Sequence, residues 1–441
     1  MKAGFVSLGC AKNLVDTEVM LGIMQAHGIE LTANPAAADI LIVNTCAFIL
    51  SAKEESITTI LNLADCKTNG RCRSLIVAGC LGQIYKRELL EEMPEVDAIV
   101  GTGAWNRIME AIEETLSGRR VALFGDKEII YNSTTPRIRT TPDYSAYVKI
   151  AEGCNNRCAF CSIPLIRGKQ ISRPIEDIKA EVEKLSAQGV KEINLIAQDT
   201  TAYGVDLYGR PKLVELLREL VTVDVHWIRI LYAYPRRFSD ELIDLIASEP
   251  KICNYVDLPL QHASNKILRA MNRPDTRESI ETLLNKIRAK IPDVTIRSTF
   301  IVGFPGETEE DFLTLKNFLQ TQRLDKVGIF TYSREEDTAA YDLPEQISED
   351  VMQERYHDLM SVQSLISQEI NQSLENRELE VLVENRDEED RDVVAGRSYR
   401  DAPEVDGLVY IENDSRSEVG DIVRVKISAG FVYDLAGERI D

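Results

Sequence analysis

Short apolar runs separated by helical patterns organise the first 120 residues. Phe5-Val6-Ser7-Leu8, Ile40-Leu41-Ile42-Val43, Leu75-Ile76-Val77-Ala78 and Val96 to Val100 read as strands. The intervening stretches, Asn13 to His27, Ser51 to Ala64, 83–92 and 104–117, repeat apolar residues at helical spacing. Gly28 is positioned to stop the first helix, and Ser51 with Glu54 forms a capping-box pattern at the start of the second. Continuous apolar strands alternating with helices predict a doubly wound parallel sheet over residues 1–120.

Residues 121–142 lose this period. Ser133-Thr134-Thr135-Pro136 and Thr141-Pro142 mark a connecting segment. A second series then spans 143–372. Strands are predicted at 146–150, 192–197, 226–232, 254–260, 295–302 and 326–331, with helices at 174–188, 211–221, 239–248, 276–290 and 307–321. Six βα units predict a barrel-like parallel sheet left open, since a standard closed barrel needs eight. A long charged helix follows at 344–376. From Leu379 the pattern shortens to alternating runs, 379–383, 407–411 and 422–427, which predict a small all-β barrel over 373–441.

Three readable regions agree with the length of 441 residues at roughly 150 per domain. A hydrophobic fraction of 44% and a charged fraction of 28% exclude low-complexity disorder and a disulfide miniprotein. No run reaches the ~18 apolar residues of a membrane span, and the amino-terminal residues carry no signal-peptide core, so a cytosolic location is expected. The formal net charge is −21. That excess disfavours a nucleic-acid coat and permits a basic partner.

The cysteines change the picture. Nine are present, an odd number in a chain expected to be cytosolic, and only four histidines accompany them. Metal binding or catalysis is therefore favoured over a disulfide framework, and an all-thiolate site favours iron–sulfur over a Cys/His zinc site. Cys10, Cys46 and Cys80 each follow a predicted strand. Ligands of open α/β sheets bind at the carboxyl ends of strands, so these thiols can converge on one site; three ordinary core cysteines is the competing reading. Cys66 and Cys72 flank a polar turn and read as loop thiols, and Cys253 as a core thiol.

Immediately after the first strand of the middle region runs Glu152-Gly153-Cys154-Asn155-Asn156-Arg157-Cys158-Ala159-Phe160-Cys161. The spacing is Cys-x3-Cys-x2-Cys. Three thiolates on one loop can hold three corners of a 4Fe-4S cube, and with no fourth cysteine near, one iron is left for a small molecule. An ordinary structural cluster or zinc is the competing reading.

This loop resembles that of the radical S-adenosylmethionine superfamily. The resemblance implies that S-adenosylmethionine binds the open iron and that its reductive cleavage yields a 5′-deoxyadenosyl radical. By the same resemblance, cofactor contacts are expected from Phe160, from Gln198 and Asp199 at the second strand's end, and from Arg297 and Gly303 at the fifth. Gly303 can equally serve only a strand-to-helix turn. The whole chain, with three separated amino-terminal cysteines and a terminal barrel, resembles the methylthiotransferases. That family implies a second 4Fe-4S cluster on Cys10, Cys46 and Cys80.

Two features are similar to the branch that modifies a ribosomal protein: the segment from Ser7 to Glu18, and Gly396-Arg397-Ser398 followed by 401–407. The implied reaction adds a methylthio group to the β-carbon of an aspartate in small-subunit ribosomal protein twelve. It uses two S-adenosylmethionine molecules and a flavodoxin or ferredoxin-type reductant. In the tRNA-modifying branch the terminal barrel is an RNA-binding module called TRAM. Here residues 373–441 hold 9 Lys and Arg against 19 Asp and Glu, a net of −10, which suits a basic protein better than phosphates. A tRNA adenosine methylthiotransferase is the alternative, and a non-enzymatic iron–sulfur ribosome assembly factor a more remote one.

Overall fold

The computed structural model describes residues 1–125, 130–387 and 392–441. Its first layer is a six-stranded parallel sheet. The strands are Lys2–Ser7 (β1), Glu30–Thr32 (β2), Ile40–Thr45 (β3), Ser74–Gly79 (β4), Ala98–Val100 (β5) and Val121–Leu123 (β6), in the order β2-β1-β3-β4-β5-β6. The order reverses between β1 and β3, which is the topological switch point of a doubly wound sheet. Alternate side chains feed two cores: Ile40, Ile42 and Ile76 pack under the helices Ala11–Ala26 and Ile108–Leu116. Leu41, Val43 and Val77 pack under Leu50–Asn69 and Cys80–Glu92. Burial on both faces explains why these strands read as continuous apolar runs.

The edge strands β2 and β6 escaped the sequence reading, since three residues are too few to show a period. The strand β6 extends the sheet into the stretch read as a connector. The capping box at Ser51 is a correction: the helix begins one residue before it, at Leu50 after Ile49, and no side chain caps it. Cys66 lies in that helix's last turn rather than in a loop, whereas Cys72 lies in the loop before β4 and is buried there.

Six parallel strands follow in sequential order: Ser145–Lys149 (β7), Glu192–Ile196 (β8), Trp227–Ile230 (β9), Tyr255–Asp257 (β10), Thr295–Val302 (β11) and Lys326–Thr331 (β12). Pairing joins β9-β8-β7 and β10-β11-β12, with a bridge from Ile228 to Ile252 between the halves. This is the open six-unit barrel the sequence predicts. Helices Ile175–Ala187, Leu213–Leu220, Asp240–Ser248, Arg277–Lys290 and Glu309–Gln322 cover the outer face.

The helix Glu349–Gln372 leads into a closed barrel of five strands rather than the three read from alternation. Of the missed strands, Leu435–Arg439 buries Leu435, Ala436 and Gly437 in succession, and Val394–Ser398 hides its alternation because polar Arg397 and Ser398 are buried. They are buried against the central region. Glu192, 0% exposed, accepts hydrogen bonds from Arg397 Nη2 (2.6 Å) and Arg229 Nη2 (3.0 Å). Lys326 pairs with Asp401 (2.9 Å), Arg400 with Asp325 (2.7 Å), and Tyr255 Oη donates to Asp406 (2.6 Å). The β-barrel is thus keyed by buried charge onto the amino-terminal ends of the central strands, where Glu192, Tyr255 and Lys326 begin theirs.

The connector is a strap rather than a loose tether. Glu18 on the first helix accepts from Thr140 N (2.6 Å), Thr141 N (3.3 Å) and both Nε and Nη2 of Arg137 (2.8 and 2.6 Å).

Candidate active site

The amino-terminal thiols arise from sheet topology. Cys10 follows β1, Cys46 follows β3 and Cys80 follows β4, all at carboxyl ends flanking the switch point. Gly9, at φ +85°, lets its turn approach Cys46; an added Cβ would stand 2.8 Å from Cys46 Cβ and 3.1 Å from its Sγ. Cys10 is exposed, Cys46 half-buried and Cys80 buried, and all three are free thiols. Burial pushes Cys80 up to about 12 and raises Cys46. Burial also acts on Cys10, but Lys12 and Arg167 outweigh it and its pKa is lowered.

The second trio is held by a loop between Ala151–Glu152 and the helix Ile163–Arg167. Backbone bonds pin it: Cys154 N to Gly168 O (3.1 Å), Ala159 N to Met271 O (2.9 Å) and Cys161 N to Cys158 O (3.1 Å). Asn156 Nδ2 donates to Asp199 (2.7 Å). Burial raises Cys154 to about 11 and Cys161 to about 12. Cys46, Cys80, Cys154 and Cys161, raised by burial, must lose protons to bind metal.

A buried lattice joins them. Arg167 Nη1 donates to Asp16 (2.8 Å) and Glu152 (2.9 Å), and Nη2 donates to Asn13 (3.0 Å) and stands 3.8 Å from Cys80 Sγ. Lys149 pairs with Asp16 and with Glu152 (2.6 Å). Burial penalises the Glu152 carboxylate, yet Arg167 and Lys149 hold it well below the usual range. One residue, Arg167, therefore touches the first trio and the glutamate that opens the second trio's loop.

The sequence-predicted contacts divide. Gln198 Nε2 donates to Glu152 (2.6 Å), and its Oε1 is buried without a hydrogen-bond partner. Asp199 is committed to Asn156, Arg237 (2.9 Å) and Thr201 (2.6 Å). Phe160 packs with Ile267, Met271 and Phe304 beside the loop. Gly303, at φ +76°, makes the strand-to-helix turn; its N–H donates to Glu307 (2.7 Å), and a Cβ would collide with Met352 at 2.1 Å. Arg297 stands near the start of its strand, paired with Asp257 (3.2 Å) and Asp406 (3.5 Å) of the terminal barrel. The structure brings Gln198, Asp199 and Phe160 to the cysteine loop and engages Arg297 at the barrel contact.

Lys12, Asp16, Lys149, Arg167 and Arg273 were not singled out from sequence. Lys149 carried a signal, a lysine inside the apolar run 146–150, since buried lysines are almost always paired. Arg273 Nη1 lies 3.9 Å from Cys158 Sγ. Cys253 is buried as expected.

Free thiols with cations beside them fit an iron–sulfur cluster in each trio: anionic thiolates need nearby positive charge and soft donors select iron–sulfur. Among the described residues, no three Cys, His, Asp or Glu side chains are gathered closely enough for a single ion; a four-iron cube holds its thiolates at separate corners.

Three family models match the chain: the Radical SAM superfamily over residues 148–319, the uncharacterized protein family UPF0004 over 2–101 and the TRAM domain over 377–440. A Desulforamulus reducens protein named ribosomal protein uS12 methylthiotransferase RimO is 52% identical over 437 residues, covering 99% of this chain and 98% of that protein. The chain belongs to the RimO methylthiotransferase family. A Geobacter sulfurreducens member is 51% identical over 441 residues, covering 100% of this chain and 98% of its own. Among solved structures, the radical S-adenosylmethionine methyltransferase TsrM from Kitasatospora setae is similar, with a TM-score of 0.55 at 16% identity over 74% of this chain and 72% of that one. That likeness shows the shared fold. Membership of the radical SAM superfamily implies one 4Fe-4S cluster and S-adenosylmethionine. No helix among the described residues is long and apolar enough to cross a membrane.

Proposed function

We propose that this chain is the methylthiotransferase that modifies an aspartate β-carbon of ribosomal protein uS12 in the cytoplasm. We assign a radical-generating 4Fe-4S cluster with S-adenosylmethionine to Cys154, Cys158 and Cys161, and a second 4Fe-4S cluster to Cys10, Cys46 and Cys80. The observation that carries this reading is the lattice through Arg167, which ties Cys80 and Asp16 to Glu152 at the second trio's loop. An enzyme that must deliver both a radical and a sulfur group to one carbon needs its two centres in fixed relation, because misplacement of about 1 Å can cost a hundredfold. When bound, these cofactors supply a carbon-centred radical and a methylated sulfur. The chain's own residues supply charge balance at Cys80 and Cys158 through Arg167 and Arg273. They also exclude water through the buried Lys149, Glu152 and Arg167. A flavodoxin or ferredoxin-type protein is the electron source in this reading.

The terminal barrel supports a protein substrate. Of its nine cations, Arg397 and Arg400 are buried against the central sheet, whereas Glu378, Glu380, Glu404, Glu412 and Glu438 stay exposed. Asp401 and Asp414 are buried too, and Arg377, Arg416, Arg424 and Lys426 are exposed, so the outward surface keeps the acid excess of the count, opposite to what phosphate binding needs. Anaerobic reaction of the reconstituted protein with uS12 and, in parallel, with tRNA tests the reading by mass spectrometry. A methylthio adduct on the uS12 aspartate is expected; an adduct on tRNA and none on uS12 overturns it.

A further inference from the structure

Resting on the uS12 reading, we infer that Lys12 binds the side-chain carboxylate of the target aspartate and so selects that residue over asparagine. Lys12 stands two residues after Cys10, on the helix Ala11–Ala26. Its Nζ lies 3.3 Å from the centroid of the Tyr232 ring. Tyr232 follows β9, at the carboxyl end where the barrel carries its chemistry. It is held in left-handed conformation, φ +62°, with its N–H donated to Asp257 (2.8 Å). Its carbonyl takes the N–H of Thr200, beside Asp199 (3.1 Å). Lys12 thus spans from the first thiol trio to the mouth of the radical barrel, the space a carbon must occupy to meet both centres.

Charge sets Lys12 apart from its neighbours. Lys149 and Arg167 share Asp16 and Glu152. Arg237 pairs with Asp199, Arg297 with Asp257, and Arg137 with Glu18. Among the described residues Lys12 has no carboxylate partner within salt-bridge distance, although its relative exposure is 7%. Beside its ammonium stand the Tyr232 side chain and the Cys10 thiol, and a buried cation without a carboxylate is completed by an arriving anion. The carboxylate of an aspartate sits one bond from the β-carbon under attack, so an ammonium in this space positions the reacting atom as well as choosing the residue. Asparagine keeps the shape and the β-hydrogens and lacks the charge.

The test uses the anaerobically reconstituted holoenzyme and two peptides of the uS12 loop, one with the target aspartate and one with asparagine there. Peptide affinity is read by fluorescence anisotropy, kcat/KM by product mass spectrometry, and iron by content per chain. Wild type should bind the aspartate peptide about tenfold to a hundredfold more tightly, the span of a charge-assisted hydrogen bond. Lys12→Met should bind both peptides alike and lose kcat/KM on aspartate, with iron content unchanged. Lys12→Arg should restore discrimination. Retained discrimination in Lys12→Met overturns the inference. Loss of iron in that variant also overturns it, making Lys12 a counter-charge to the first cluster. A wild type that modifies tRNA and ignores both uS12 and its peptide fails the functional reading itself, a result distinct from either.

Discussion

The two thiol trios are built in opposite ways. Cys154, Cys158 and Cys161 share one eight-residue stretch, fixed by local backbone bonds and by Asn156 on Asp199. Cys10, Cys46 and Cys80 come from three strands, and they meet only because parallel pairing in the order β1-β3-β4 aligns the strand ends. The first arrangement is a property of a loop, the second of a sheet. The loop is visible as a spacing, whereas the sheet site depends on the packing of the whole amino-terminal region. Their relation to each other depends on neither, but on Asp16, Lys149, Glu152 and Arg167.

Removing the thiols breaks the comparison most completely. Each trio is expected to hold about four irons if it binds one 4Fe-4S cluster. Replacing Cys154, Cys158 and Cys161 by Ala should halve the iron and abolish cleavage of S-adenosylmethionine. Replacing Cys10, Cys46 and Cys80 should also halve the iron, but leave cleavage and stop methylthio transfer. Iron analysis with chromatography of the nucleoside product separates these outcomes; cleavage at the normal rate in the first variant would refute the assignment of the radical centre.

The next largest effect probes the barrel that neither trio touches. Glu192→Ala strands Arg229 and Arg397, both buried, and should cost about 3–5 kcal/mol, measured by denaturant unfolding. The same contact predicts an acid limit. Burial opposes the charged Glu192, but Arg397 and Arg229 prevail and hold its pKa down to about 2. A depressed carboxylate stabilises above its unfolded value of about 4.3 and loses that contribution as pH falls through about 2. Unfolding midpoints measured from pH 5 to pH 2 should therefore fall in wild type, and fall less in Glu192→Ala.

Asp16→Asn tests the lattice between the trios. It removes a charge shared by Lys149 and Arg167. Iron content should hold while product per S-adenosylmethionine cleaved drops by up to about a hundredfold, the cost of slight misplacement. Unchanged coupling would mean the trios are positioned by the sheet and strap alone. The smallest effect is expected at Ser51→Ala. Ser51 is exposed and caps nothing, so thermal unfolding should move by less than about 0.5 kcal/mol; a loss near 1 kcal/mol would restore the capping box.

Legibility followed the range of the interaction. The loop trio, the six βα units and the doubly wound sheet rest on local spacing and on burial period, both written along the chain. Edge strands such as Val121–Leu123 are too short to carry a period. The strand Val394–Ser398 was missed because it buries polar residues against a neighbour, and Leu435–Arg439 because three small or apolar residues are buried in a row.

The segment from Ser7 to Glu18 shows the same division within twelve residues. The sequence by itself determined Cys10 as a candidate ligand and the helix after it. Only the tertiary structure decided the rest: Lys12 over Tyr232, Asn13 and Asp16 on Arg167, and Glu18 on Arg137 of the strap. The partners lie 119 to 220 positions away. Periodicity and spacing record which residues a chain buries and how near they are along the backbone. Which buried charge meets which partner, carboxylate or aromatic face, is fixed when the sheets dock, because a charge taken out of water without any partner is costly.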